Sequence, residues 1–350
     1  MKALVIRGHG DLSQLAVADV TDPEVQRAGD VRVRLKAAAL NHLDLWTLRG
    51  LPGLQVAFPH VLGGDGAGEI DTVGDDVRRV RPGDRVMLNP GISCYRCEYC
   101  EAGDHPLCPS YELLGEHLPG TLAEFIVIPE QNVTPIPEQP SGTPPLSWSE
   151  AAAYSLVTLT AWRMLVKRAR LQASETVLIW GVGGGVSLAA LKIAKLIGAR
   201  VIVTSSSDDK LTAARDMGAD VTFNHADQDV PKEVRRLTNR RGVDVVVENV
   251  GEATWESSLR MLARGGRLVT CGATTGPKVS VDIRRLFWYQ WTILGSTMGS
   301  LQDYREIIEV LGQGHLRPTV DSTFSLEDGA QAFSRLQEGE HMGKVVVEIP

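Results

Sequence analysis

The chain has 350 residues, 43% of them hydrophobic and 23% charged, with a net charge of −7. That length suits two domains of about 150 residues, each able to bury its own core. The acidic balance gives no general pull towards phosphate backbones, which argues against a nucleic-acid partner, and no apolar run approaches the roughly 18 residues needed to cross a bilayer.

The opening MKALVIRGHGDL reads as a first strand and turn rather than a secretory leader, which implies a cytoplasmic protein. In that compartment the five cysteines are metal ligands or buried thiols rather than disulfides. DVRVRLKAAAL alternates Val31, Val33 and Leu35 on one face, the period of a half-buried strand. RPGDRVML sets a Pro-Gly turn before a second strand, and TLAEFIVIP reads as a third. Between these last two lies NPGISCYRCEYCEAGDHPLCPSY. Its Cys94, Cys97, Cys100 and Cys108 follow the spacing C-x-x-C-x-x-C-x7-C. Four thiolates so close in sequence can close a tetrahedron about one zinc ion, and a filled sulfur shell is structural rather than catalytic.

PIPEQPSGTPPLSWSE marks a boundary loop, and SEAAAYSLVTLTAWRMLVKRA a helical stretch capped by Ser147 or Ser149. From about residue 175 short apolar runs alternate with amphipathic segments, the texture of a parallel sheet covered on both faces. TVLIW runs into GVGGGVS and then a helix. Gly183, Gly184, Gly185 and Val186 therefore open a helix directly after a strand, where backbone N–H groups can hold a pyrophosphate. Ser187 stands where the usual fingerprint has its third glycine. The tip of the next strand, RVIVTSSSDDK, offers Thr204, Ser205, Ser206 and Ser207, then Lys210. No acid stands at the tip itself, which favours NADPH over NADH, although Asp208 and Asp209 lie close by. His225 is placed towards the adenine side. Cys271, in the strand RLVTC, reads as a buried thiol. The aromatic run Phe287, Trp288, Tyr289 and Trp291 reads as core or interface packing, or as a pocket rim. SLEDGAQAFSRLQEGEHMGKVVVEI closes the chain as helix, turn and strand.

Taken with ALNHLDL, VLGGDGAGEIDTVG, RPGDRV, VVENVG and HMGKVVVEI, these motifs resemble the medium-chain dehydrogenase/reductase superfamily over essentially the whole length. The resemblance implies an α/β architecture. A GroES-like mainly-β domain over 1–154 carries a zinc lobe at about 91–111. A Rossmann-type parallel-sheet domain spans 155–297, and the chain returns to the first domain over 298–350. The active site is implied to lie in the cleft between them. Zinc alcohol dehydrogenases of this superfamily carry a second, catalytic zinc. Its three ligand positions correspond here to Asn41, Gly64 and Leu156, and the proton-relay position to Leu43, so no catalytic zinc is expected. Asp44 and Asp65 match positions behind the ligands. Asn41 either donates a hydrogen bond to a substrate carbonyl or fixes the local turn. Thr160, taken as the start of a helix, supports the nicotinamide, and His42 reaches the cofactor phosphates or is exposed.

The expected function is NADPH-dependent reduction of a quinone or enone carbonyl substrate, with one structural zinc per chain. The alternatives are a zinc-type alcohol dehydrogenase acting on a small alcohol or aldehyde, and an NADPH-binding structural or sensing protein with little turnover. The resemblance further implies a homodimer or homotetramer joined near WTILGSTM.

Overall fold

The computed structural model describes every residue from Met1 to Pro350. The chain forms two compact units, Met1–Val157 with Gly299–Pro350, and Thr158–Met298.

In the first unit the main sheet runs Val133–Pro135, Arg85–Leu88, Asp65–Val73, Asp30–Ala39, Lys344–Glu348 and Val320–Ser325, and Phe125–Pro129 also pairs with Asp30–Ala39. Val31, Val33 and Leu35 are fully buried, as the alternation requires. The register has one consequence for the chemistry. Ala39 is opposite Asp65 on one neighbour and opposite Val346 on the other. Continuing that antiparallel register two residues further places Asn41 opposite Lys344, with Asp65 alongside.

The helical stretch after the boundary loop is broken, not continuous. Ser147 caps a first helix, Trp148–Ala152, through a capping box with Glu150. Ala151, Ala152 and Ala153 lie against Ala37, Ala39, Ala67 and Val346, where only small side chains let a helix approach the sheet. A second helix, Ser155–Trp162, runs on into one turn of π-helix over Arg163–Arg168.

In the second unit six parallel strands lie in the order Val221–Asn224, Arg200–Ser205, Thr176–Ile179, Val243–Glu248, Leu262–Thr270 and Thr292–Gly295. Leu178, Ile202, Val246 and Leu268 pack in a core with Trp255, Leu259 and Trp291. The aromatic run is divided: Trp291 is buried, whereas Phe287 and Trp288 stand 64% and 66% exposed. No helix is long and apolar enough to cross a membrane.

Candidate functional site

The three positions expected for a catalytic metal do converge in the first unit. A Cβ on Gly64 would meet Leu156 Cδ1 at 3.2 Å, and Asp65 Oδ1 accepts the Leu156 N–H at 2.7 Å. Asn41 Nδ2 donates to Asp65 Oδ2 at 3.0 Å and to the Ala39 carbonyl at 3.3 Å. Its Oδ1 accepts from Lys344 Nζ at 2.5 Å, and the same ammonium lies 3.0 Å from Asp65 Oδ2. Lys344, Asn41 and Asp65 are all buried.

This donor set does not fit a catalytic zinc. Gly64 offers no ligand atom, Leu156 is apolar, the Asn41 oxygen is taken, and a cation already stands beside the one carboxylate. The same geometry corrects one half of the Asn41 expectation. Both of its amide N–H groups are spent inside the protein, so none is left to donate to a substrate carbonyl. What the side chain does is tie the end of Asp30–Ala39 to Asp65 and Lys344. Lys344 was not singled out from sequence; its chemistry depends on a register that no local pattern displays.

Asp44 supports the same corner. It is the third residue of the helix His42–Arg49, and its carboxylate accepts the N–H groups of Asn41 at 2.7 Å and Gly63 at 2.9 Å. Gly63 has to be glycine, because at φ +101° a Cβ would come within 2.6 Å of Thr121 Oγ1. Burial pushes the Asp44 carboxyl up from 3.8 to about 6, against the pull of those two N–H groups. His42 is half-buried, and burial, then Arg49 and Lys344, hold its pKa below the usual value.

The four cysteines close into one cluster. All four sulfurs lie within 4.8 Å of one another, with Cys97–Cys100 at 3.5 Å and Cys94–Cys100 at 4.0 Å. Sulfurs bound tetrahedrally at about 2.3 Å from zinc would be roughly 3.8 Å apart, so the set fits that ion. Bound there, zinc would have no open position and would cross-link the lobe. Tyr95 ties the lobe to Asn132 at 2.6 Å, and Asn132 in turn holds the carbonyls of Asn89 and Gly91.

In the second unit the glycine loop, the serine tip and His225 come together. Gly181 takes φ +63°, with open space where a Cβ would stand. Gly184 caps the helix Gly185–Ile197, which places Gly185 and Val186 in its first turn, and Gly183 takes φ +146°. Val182 N–H and Gly181 N–H bond to Thr204, at 2.7 Å to its carbonyl and 3.3 Å to its hydroxyl. His225 Nδ1 is 3.1 Å from that hydroxyl, and burial lowers its pKa. Ser206 is exposed, whereas Ser205 is buried and accepts from Ser207 N–H at 3.2 Å. Lys210 is half-buried on the helix that Ser207 caps. Asp208, the nearest acid, accepts the Asn224 side-chain amide at 3.0 Å. Ser187, in the third-glycine position, is fully buried; its hydroxyl donates to the Trp180 carbonyl at 2.8 Å and accepts from Asn249 at 3.1 Å.

Thr160 needs a correction. It sits inside Ser155–Trp162 rather than at a helix start, buried, with its hydroxyl 3.7 Å from the Met298 sulfur. Cys271 lies just past its strand and is half-buried; desolvation, then the charge of Glu248, pushes the thiol up to about 12, which disfavours the thiolate. Glu248 was missed, although a lone acid ending VDVVVE was the available signal. Fully buried, it accepts from Val250 N–H, Gly251 N–H, Thr254 and Ser258 at 2.6–3.0 Å. Ser258 also accepts from Trp180 Nε1 at 2.8 Å. The network ties the root of the glycine loop to the neighbouring strand end.

A parallel sheet with a glycine-rich βα turn, accompanied by a four-cysteine lobe in a mainly-β unit, defines a nicotinamide-dependent oxidoreductase. Residues 185–313 match the family profile "Zinc-binding dehydrogenase" and residues 27–138 the profile "Alcohol dehydrogenase GroES-like domain". The chain is 30% identical to an NAD-dependent alcohol dehydrogenase of Sulfolobus acidocaldarius, covering 100% of both. It is 30% identical to an acryloyl-coenzyme A reductase of Metallosphaera sedula, covering 99% of both. A crystal structure of an NAD-dependent alcohol dehydrogenase superposes with a TM-score of 0.94 at 45% identity, covering 100% of both chains. The chain belongs to the medium-chain dehydrogenase/reductase superfamily.

Proposed function

We propose that this protein reduces an electron-poor double bond conjugated to a carbonyl, or a quinone, with NADPH and without a catalytic zinc. The observation that carries the reading is the Asn41–Asp65–Lys344 cluster, which fills the expected metal corner with an ammonium and leaves no vacant donor. Conjugated acceptors are electrophilic already, and need orientation and exclusion of water more than a Lewis acid. The nicotinamide, when bound, supplies the hydride. The acryloyl-coenzyme A reductase among the relatives makes an unsaturated thioester a natural member of the acceptor class.

Three features support NADPH. The strand tip carries hydroxyls, Lys210 stands on the following helix, and Asp208 is engaged by Asn224. Gly183, Gly184, Gly185 and Val186 would hold the pyrophosphate, Ser205, Ser206 and Lys210 the 2′-phosphate, and His225 would lie on the adenine side. The relatives named NAD-dependent favour NADH, so the two cofactors are assayed in parallel. A homo-oligomer joined along the edge strand Thr292–Gly295 is supported by the exposed Phe287 and Trp288 on the helix that precedes it.

A second reading, alcohol–aldehyde interconversion, is favoured by the names of the alcohol dehydrogenase relatives. Consumption of NADPH against quinones, enones, enoyl thioesters and saturated aldehydes separates the two. The first reading expects turnover only with conjugated acceptors and one zinc per chain. Turnover confined to saturated aldehydes, with two zinc ions per chain, would establish the second. A preference for NADH would overturn the cofactor assignment alone.

A further inference from the structure

The glycine loop sits at the carboxyl ends of the parallel strands. At their opposite, amino ends the second unit holds a cavity of about 440 Å³, within the size range of small-molecule pockets. Six arginines line it: Arg235, Arg240, Arg241, Arg260, Arg264 and Arg285. Arg235 comes from the helix Val230–Leu237, Arg240 and Arg241 from the turn before Val243–Glu248, Arg260 from the end of the helix Glu252–Met261, Arg264 from the start of Leu262–Thr270, and Arg285 from the helix before Thr292–Gly295. Only Arg241 has a carboxylate partner, Asp244, at 2.5 and 3.1 Å. Asn239 and Arg240 both hold left-handed backbone conformations, φ 48° and 68°, which side chains other than glycine rarely adopt. That strained turn keeps Arg240 at the cavity.

Two aromatic rings complete the wall. Tyr289 and Trp291 stack at 5.1 Å with their planes 25° apart. Arg264 lies over the Tyr289 ring at 4.9 Å and Arg285 over the Trp291 ring at 5.3 Å. Ring faces attract cations but do not neutralise them. On a chain of net charge −7, such a concentration of uncompensated positive charge repels itself until an anion of several charges enters. Guanidinium forks match phosphate oxygens in pairs, and a stacked aromatic pair offers its edge and face to a heterocycle.

We propose that this cavity is a second nucleotide site, which takes a nucleoside di- or triphosphate with its phosphates among the arginines and its base against the half-buried Tyr289. It lies at the amino ends of the strands, opposite the dinucleotide loop at their carboxyl ends, so both ligands bind at once. A volume of about 440 Å³ is of the size of one mononucleotide.

The test titrates ATP, ADP, AMP and inorganic tripolyphosphate into the full-length protein saturated with NADPH, read by calorimetry and tryptophan fluorescence. The expected result is one ATP per chain, bound more tightly than AMP and undiminished by NADPH. Arg240→Ala and Arg260→Ala should each weaken ATP by about tenfold, the loss of one charged hydrogen bond. NADPH affinity should not change, which also shows that the variants fold. Tyr289→Ala should weaken ATP but not tripolyphosphate. Displacement of ATP by NADPH would overturn the proposal by placing ATP on the glycine loop. So would indifference to the arginine substitutions, or preferential binding of single-stranded oligonucleotides. Altered sedimentation of Arg240→Ala without any ATP binding would show a subunit interface instead.

Discussion

Lys344 and Asn41 are 303 positions apart in the chain, yet the ammonium of one rests on the amide oxygen of the other. Asp65 is the reason such an arrangement is stable. It is fully buried and takes hydrogen bonds from the Leu156 N–H and the Asn41 amide, both neutral, and from Lys344, its one charged partner. Removing the cation strands a carboxylate in a dry interior, which costs about 3–5 kcal/mol. Lys344→Met keeps most of the stem volume, and should lower stability by that amount in urea unfolding. Adding Asp65→Asn should recover much of the loss, because no charge then stays buried alone. Equal stability of the single and double variants would show that the two charges are not coupled. Asn41 was visible in the sequence as the residue standing where a ligand is expected, and Asp65 as one matching a position behind the ligands. The spending of both amide protons inside the protein was not visible, because it depends on pairing across the sheet.

The helix His42–Arg49 holds this corner through its first turn, where Asp44 satisfies two backbone N–H groups. That carboxyl titrates near 6 in the fold, against 3.8 in the open chain. The folded protein therefore binds the proton more tightly. The stabilisation is full below the unfolded value and is lost as pH rises through 6. Between pH 5 and 7.5 the wild type should lose roughly 1 kcal/mol relative to Asp44→Asn, read as the change in the difference of their urea unfolding energies. A difference independent of pH would show that burial does not raise this group. Elements of this kind were legible where a local rule governs them. A capping serine, Ser147 or Ser149, announced a helix start, Val31, Val33 and Leu35 a strand, and the cysteine spacing a closed lobe. The break after Ala152 was not legible, since the apolar run continues through it. Nor was the split of the aromatic run, where Trp291 turns into the core and Phe287 and Trp288 turn out.

At the scale of the molecule, each unit carries its own core. Val31, Leu35, Leu62 and Phe333 belong to one, and Leu178, Ile202, Val246 and Leu268 to the other. The two expected cofactors are likewise divided, with the cysteine cluster in Met1–Val157 and the glycine loop in Thr158–Met298. A ligand stabilises what it binds by RT ln(1 + [L]/Kd), about 2.7 kcal/mol at a hundredfold excess over Kd, and that protection is greatest in the elements it orders. NADPH should therefore slow amide exchange most at Gly181–Val186 and Thr204–Ser207. Chelation should speed exchange at Cys94–Cys108 and at the Asn89–Gly91 backbone that Asn132 holds. The lobe has little apolar core to fall back on, since within Cys94–Cys108 only Cys100 and Cys108 are buried. Exchange mass spectrometry under the four combinations of cofactor and chelator checks both. Chelation that left the lobe unchanged would mean the thiols hold their geometry without an ion. That outcome is disfavoured here: four sulfurs held this close gain stability from a shared cation and have no disulfide to replace it.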